Sequence, residues 1–265
     1  MELTVVGSSG SVSGPDSPAS SYLVRAPFEG GTFALVLDLG PGSMGALYRY
    51  LDPRTVGAVA LSHLHPDHCL DLCALYVGAR YSPTAPWPSI PVFGPRGTRE
   101  RLVAAYAVPG EDEVEPDPGA GIGCHFEHRD WAPSQRVGPF RLDTARVDHP
   151  VETYAVRVTE EVPDGGSLVF SGDTGPCAAL VELATGADLL LAEASFRDLP
   201  GNPPGVHLTA RDAAETARQA GVSALVLTHI PPWHDRDEVL AEALPHFDGP
   251  VAVATPGASW TIGPR

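Results

Sequence analysis

The segment His63-Leu64-His65-Pro66-Asp67-His68 constrains this chain more than any other. It packs four ligand-type side chains directly behind an apolar run, residues 56–61, that reads as a buried strand. On extended chain, side chains at i and i+2 point to the same side, so His63 and His65 can grip one ion together. Asp67 and His68 lie where the chain turns into a helix, with Pro66 suited to its first position. They therefore point to a second spot nearby. Three imidazoles this close repel one another once protonated and gain far more by ligating a cation, which favours a metal site over a polar loop.

Other ligand-type residues repeat the placement. His149 follows an apolar strand over 140–147, Asp173 follows Val169-Phe170-Ser171-Gly172, and His229 follows a strand over 224–228. One histidine after a strand is usually a loop residue. Three such coincidences beside the first cluster make chance a poor account.

Together these segments resemble the metallo-β-lactamase superfamily, whose signature is HxHxDH followed by a distant His, Asp and His. The matching stretches are Ser62 to His68, Asp148-His149-Pro150, Ser171-Gly172-Asp173-Thr174 and Leu227-Thr228-His229. The resemblance implies two divalent ions. His63, His65 and His149 would hold the first, Asp67, His68 and His229 the second, and Asp173 would bridge them. Asp38-Leu39-Gly40 matches the family's early Asp-x-Gly, whose Asp usually supports a ligand. Ala192-Glu193-Ala194-Ser195 and Val206-His207-Leu208-Thr209 resemble the extra Glu and His of the phosphodiesterase branch, which includes the tRNA 3′-processing endonucleases. Asp67, His207 and Glu193 are thus the candidate catalytic residues, Asp67 doubling as a ligand. On the residues alone, His207 reads more readily as a loop residue before a capped helix. The loop Val5 to Ser11, the segment Ser62 to Leu72 and Leu227 to Trp233 look like actinobacterial cyclic-nucleotide-degrading phosphodiesterases of this fold. The expected activity is hydrolysis of small phosphodiesters, cyclic nucleotides of the 3′,5′-cyclic AMP type. Acyl or lactone hydrolysis on the same ions is the second reading, and metal binding without catalysis a distant third. Zinc suits His and carboxylate ligands, and manganese or iron would also be accepted.

Composition narrows the partners. The net charge is −16, and the chain contains no lysine. A long basic groove for nucleic acid is disfavoured, and a lysine nucleophile or phosphate-loop lysine is excluded. His149 and Asp173 lie too close in sequence for the long arm of the tRNA-processing enzymes. A small-molecule substrate is expected, with a homodimer left open. The four cysteines, Cys69, Cys73, Cys124 and Cys177, form no CxxC pair, and Cys69 reads as core. The start has no signal-peptide pattern and no apolar run approaches a membrane span, so the expectation is a cytoplasmic protein.

The periodicity predicts strands over 3–6, 21–25, 33–38, 56–61, 91–93, 140–147, 153–158, 167–171, 188–192, 224–228 and 251–254. Helices are expected over 42–51, 69–79, 97–107, 175–184 and 236–243. Another follows Thr209, which forms a capping box with Asp212 and stops at Gly221. Residues 81–95 and 109–123 read as loops. This pattern fits an α/β four-layer αββα metallo-β-lactamase sandwich, one domain over 1–265. The Gly/Ser loop over 7–14 could line a phosphate pocket with backbone N–H groups or serve as a tight connection. Trp233 reads as core, with base stacking as the alternative. Cys124, His125 and His128 imitate a metal site but lack a fourth ligand.

Overall fold

The computed structural model describes residues 1–108 and 121–263, so the expected loop over 109–123 falls outside it except at 121–123. The chain begins with an antiparallel meander, β1 (Glu2–Gly7), β2 (Ser21–Phe28) and β3 (Gly31–Leu37). Then β4 (Val56–Ala60), β5 (Pro91–Gly94) and β6 (Glu127–Asp130) add in parallel. The second sheet starts with antiparallel β7 (Ser134–Val137), β8 (Phe140–Arg146), β9 (Tyr154–Glu160) and β10 (Ser167–Phe170). It continues in parallel with β11 (Leu189–Glu193), β12 (Leu225–Thr228) and β13 (Val251–Val253). Finally β14 (Ser259–Thr261) returns to pair with β1. The result is two mixed sheets, ordered β14-β1-β2-β3-β4-β5-β6 and β13-β12-β11-β10-β9-β8-β7.

Side-chain alternation explains why the sheets stack. Tyr22, Val24, Leu35 and Leu37 from the first sheet meet Leu168, Phe170, Leu189 and Leu191 from the second in one core between the sheets. The intervening residues face outward. Leu23 and Val36 pack under α1 (Ser43–Leu47), α2 (Pro66–Cys69), α3 (Asp71–Tyr81), α4 (Thr98–Tyr106) and α5 (Ile122–His125). Val169, Leu190 and Ala192 pack under α6 (Ala178–Ala184), α7 (Ala210–Ala220) and α8 (Arg236–Ala243). Strands covered on both faces need apolar residues at every position, and the central strands have them. These are the four αββα layers.

The best-marked helix is the one its ends predicted. Thr209 and Asp212 close the capping box, and Gly221 ends α7 at φ 65°. Ala210, Ala213, Ala214 and Ala217 form its buried stripe at helical spacing. Elsewhere the boundaries moved. The helix over 42–51 is only Ser43–Leu47, and the one expected over 69–79 is a short turn, α2, followed by α3. The helix expected from 175 starts at Ala178, because Cys177 before it is extended, at φ −148° and ψ 149°. Strands β6, β7 and β14 have no apolar run, and all three lie at sheet edges, where polar sequence is tolerated. Among the described residues no helix is long and apolar enough to cross a membrane.

Candidate metal centre

Both sheets end at one rim, and the strands deliver the ligand-type residues there. Asp38 follows β3, Ser62 and His63 follow β4, and His65 precedes α2, which carries Asp67 and His68 in its single turn. His149 lies between β8 and β9, Asp173 follows β10, Glu193 ends β11, and His229 follows β12. Asp38 and His229 both adopt left-handed backbone, φ 54° each. That conformation costs a side-chain-bearing residue energy and persists where the surroundings enforce it.

The structure brings the residues into two adjoining groups. His63, His65, His149 and Asp173 can each place one ligand atom within 4.8 Å of the others, and so can Asp67, His68, Asp173 and His229. Asp173 belongs to both and lies between them. In the first group His63 Nε2 and His65 Nδ1 are 3.0 Å apart, and His149 Nε2 is 3.3 Å from His65 Nδ1. In the second, His68 Nε2 and His229 Nε2 each stand 3.3 Å from an Asp173 carboxylate oxygen, and Asp67 Oδ2 is 3.4 Å from His68 Nε2.

Each buried ring is held from behind. His68 Nδ1 donates to Asp38 Oδ2 at 2.7 Å, while the same carboxylate accepts from the Ser62 N–H and hydroxyl. His149 Nδ1 donates to the Val206 carbonyl at 2.8 Å. His229 Nδ1 meets the Ser20 hydroxyl at 2.8 Å, and His63 Nδ1 meets that of Ser62 at 3.0 Å. Such partners fix the tautomer and aim the other nitrogen at a metal. Ser20 and the Val206 carbonyl carried no sequence signal, since a serine or a backbone oxygen gains this role only through tertiary contact.

The fit to metal ions is visible in what lacks a partner. His68 Nε2, His229 Nε2 and Asp173 Oδ1 are buried and have no hydrogen-bond partner among the described residues. Buried polar atoms of this kind are costly unless something coordinates them. Two divalent ions among five imidazoles and two carboxylates would satisfy all three, and the donor set suits them.

The charges are arranged to match. Burial works against the Asp173 carboxylate, yet His229, His68 and His63 hold it well below the usual range. Burial also opposes protonation of His68, but Asp173 and Asp38 outweigh it and raise His68 well above its ordinary value. Burial pushes His229 down to about 4, and burial together with the His68 charge holds His63 well below normal.

Glu193 and His207 form a pair at the edge of the second group. His207 Nδ1 donates to Glu193 Oε1 at 2.8 Å and lies 3.9 Å from Asp173 Oδ2. Glu193 is fully buried and also accepts from the Thr174 and Ser195 N–H groups. Burial lifts Glu193 to about 7, against the His207 hydrogen bond. Burial opposes the His207 charge, but Glu193 carries it up to about 9. Phe196 packs edge-on against the His207 ring at 5.0 Å.

In the Gly/Ser loop, the N–H groups of Ser8, Ser9, Gly10, Val12 and Gly14 already donate within the protein. The loop supports His229 instead. A Cβ on Gly10 would lie 2.2 Å from the His229 carbonyl oxygen, so only glycine permits this approach. Trp233 is no core residue, since it is 64% exposed at the turn after Pro232. Cys69 is core, fully buried, with its thiol donating to the His65 carbonyl and raised by burial to about 11.

Comparison with known proteins adds the following. A family model for the beta-lactamase superfamily domain matches residues 35–230. An uncharacterized protein of Mycobacterium leprae is 48% identical over 264 residues, covering 99% of this chain and 89% of its own. The probable metallo-hydrolase YhfI of Bacillus subtilis is 29% identical over 265 residues, covering 98% and 99%. The YhfI crystal structure superposes with a TM-score of 0.81 at 25% identity, over 98% of this chain and 99% of that one. A ribonuclease Z of Myxococcus xanthus is 32% identical over 305 positions, covering 97% and 96%.

Proposed function

The chain belongs to the beta-lactamase superfamily and is a metal-dependent hydrolase, and from that premise we propose that it hydrolyses small phosphodiesters, with cyclic nucleotides of the 3′,5′-cyclic AMP type as substrates. The observation that carries this reading is the Glu193–His207 pair, 2.8 Å apart beside Asp173 and additional to a complete two-ion ligand set. A phosphodiester is an anion whereas an ester or lactone is neutral, so a further histidine donor beside the ions suits the first more. A phosphodiester has an alkoxide to protonate as it leaves and equatorial oxygens to neutralise.

His63, His65 and His149 would hold one ion, Asp67, His68 and His229 the other, and Asp173 both. Bound there, two divalent ions, zinc best suited, supply Lewis acidity toward water and toward a phosphoryl oxygen. The chain does the rest. Asp67, kept below the usual carboxylate range by His68 and His229 against burial, stays ionised and can accept a proton from the attacking water. The Thr174 and Ser195 N–H groups fix Glu193, and Glu193 fixes His207 through Nδ1. That leaves His207 Nε2 as the remaining donor. Glu193 favours the protonated form of His207, which can then release a proton to the departing oxygen. Rate losses of about 10²–10⁴-fold follow removal of such an acid.

The similarity to ribonuclease Z invites an endonuclease reading. Two observations favour a small substrate instead. The alignment runs over 305 positions against 265 residues here, so that relative carries residues with no counterpart in this chain. A net charge of −16 also repels a polyanion. The test is a panel of cyclic AMP, bis(p-nitrophenyl) phosphate, a precursor tRNA, a lactone and a β-lactam, offered to metal-loaded protein and to His207→Ala. The proposal expects turnover of the first two, reduced at least about 100-fold in the variant. Lactone turnover without diester turnover would overturn it.

A further inference from the structure

Beside the ligand-bearing strands, each sheet ends in an arginine. In the first sheet β5 is the neighbour of β4, and Arg96 stands two residues past its end. In the second, β8 ends at Arg146, whose register partner on β9 is Tyr154. Tyr154 borders the centre itself. Its N–H donates to the Ser62 carbonyl at 3.0 Å, and its own carbonyl is 3.0 Å from where a Cβ of Gly172 would sit. Ser62 and Gly172 immediately precede His63 and Asp173. Arg146 and Tyr154 share the strand face of Phe140, Leu142, Val156 and Val158, which line the core between the sheets. Both therefore stand where that core opens at the rim.

The two guanidinium groups are free for a ligand. Both arginines are exposed, and neither forms an ion pair or side-chain hydrogen bond among the described residues, whereas seven other arginines pair with carboxylates. The acid closest in sequence to Tyr154, Glu152, is engaged by the Tyr154 hydroxyl at 2.8 Å. Asp148 and Asp130 are exposed at the same rim, and neither pairs with Arg96 or Arg146. Both arginine charges act on the Tyr154 hydroxyl, pulling its pKa down against burial and Glu152, which nonetheless leave it raised. Trp131 closes the floor, with Nε1 donating to the Leu61 carbonyl and its ring 6.4 Å from Tyr154. Their position at the rim beside the metal centre, more than their lack of a partner, sets these two cations apart from other exposed arginines such as Arg49 and Arg80.

We infer that Arg96 and Arg146 form a subsite for a second phosphate of the substrate, one nucleotide away from the diester at the metal centre. Neighbouring strands lie about 5 Å apart, so one or two strands separate the two anions by about 5–10 Å. The favoured substrates are then small diesters that carry another phosphate, such as 5′-phosphorylated dinucleotides or cyclic dinucleotides. This inference rests on the phosphodiesterase reading for its catalytic consequence but not for binding.

The experiment therefore has two arms. In the first, metal-loaded protein hydrolyses the dinucleotide ApA and its 5′-phosphorylated form pApA. The kcat/KM ratio of pApA to ApA is expected to be about ten, the worth of two exposed guanidinium contacts. It falls to near one in Arg96→Gln/Arg146→Gln and recovers in part in Arg96→Lys/Arg146→Lys. In the second, calorimetry compares binding of adenosine 3′,5′-bisphosphate with adenosine 5′-monophosphate, which needs no turnover. The second phosphate adds about tenfold affinity to the wild type and none to the Gln variant. Loss of hydrolysis with this binding difference intact would overturn the diesterase reading and sustain the subsite. Equal wild-type affinity for the two nucleotides, or a difference that survives in the Gln variant, would overturn the subsite.

Discussion

Asp38→Asn tests how the second ion is held. Asp38 is fully buried and accepts three hydrogen bonds, from the Ser62 N–H, the Ser62 hydroxyl and His68 Nδ1, each at 2.7 Å. Asparagine keeps the shape and tolerates the left-handed backbone at φ 54°. Its amide, however, has one oxygen where the carboxylate has two. The Ser62 N–H is a fixed donor, so the amide oxygen must face it. The NH2 then faces the Ser62 hydroxyl, which can turn to accept, and His68 Nδ1, which can accept only by moving its proton to Nε2. That nitrogen is the one aimed at the metal. Loss of such a supporting partner costs about 10–100-fold in metal affinity, or about 1.4–2.8 kcal/mol. The assay is calorimetric titration of metal-free wild type and Asp38→Asn with zinc. One of the two binding steps should weaken by that factor while the His63–His65–His149 step stays within a few-fold. A folded Asp38→Asn protein that binds both ions as the wild type does would refute the reasoning.

Two further outcomes follow from the geometry. Gly10→Ala drives a Cβ to 2.2 Å from the His229 carbonyl oxygen. It should destabilise the protein by about 1–3 kcal/mol in chemical denaturation and weaken the same ion, whereas unchanged stability would mean the loop yields freely. The Glu193–His207 pair also sets a pH dependence in metal-free protein. Both folded values, about 7 and about 9, lie above the ordinary 4.5 and 6.5. Both groups thus bind protons more tightly when folded. Their stabilisation is present at low pH and is lost as pH rises, through about 7 for Glu193 and about 9 for His207. The melting-temperature advantage of wild type over His207→Gln should shrink between pH 6.5 and 9.5, and a constant difference would contradict the pairing.

The sequence disclosed the centre better than its supports. Histidines and aspartates at strand ends are conspicuous because few other roles collect them at such density, and the structure draws all seven ligand candidates into two adjoining groups. The central strands were legible because both their faces are buried, which writes an unbroken apolar run. The edge strands β6, β7 and β14 were not, because one side faces solvent and polar residues serve there equally well. Ser20 and the Val206 carbonyl were invisible for a different reason. Neither has a chemistry that singles it out until the fold places it behind His229 or His149. Trp233 misled because a tryptophan beside apolar residues usually lies in a core, whereas here Pro231 and Pro232 lead it out onto the surface.

Metal-free protein receives zinc in increments while hydrolysis of 3′,5′-cyclic AMP to the monophosphate is followed. The rate should reach its maximum at two equivalents per chain and fall again with chelator. Full activity at one equivalent, or no hydrolysis at any loading of a protein that has taken up both ions, would contradict the two-ion phosphodiesterase reading.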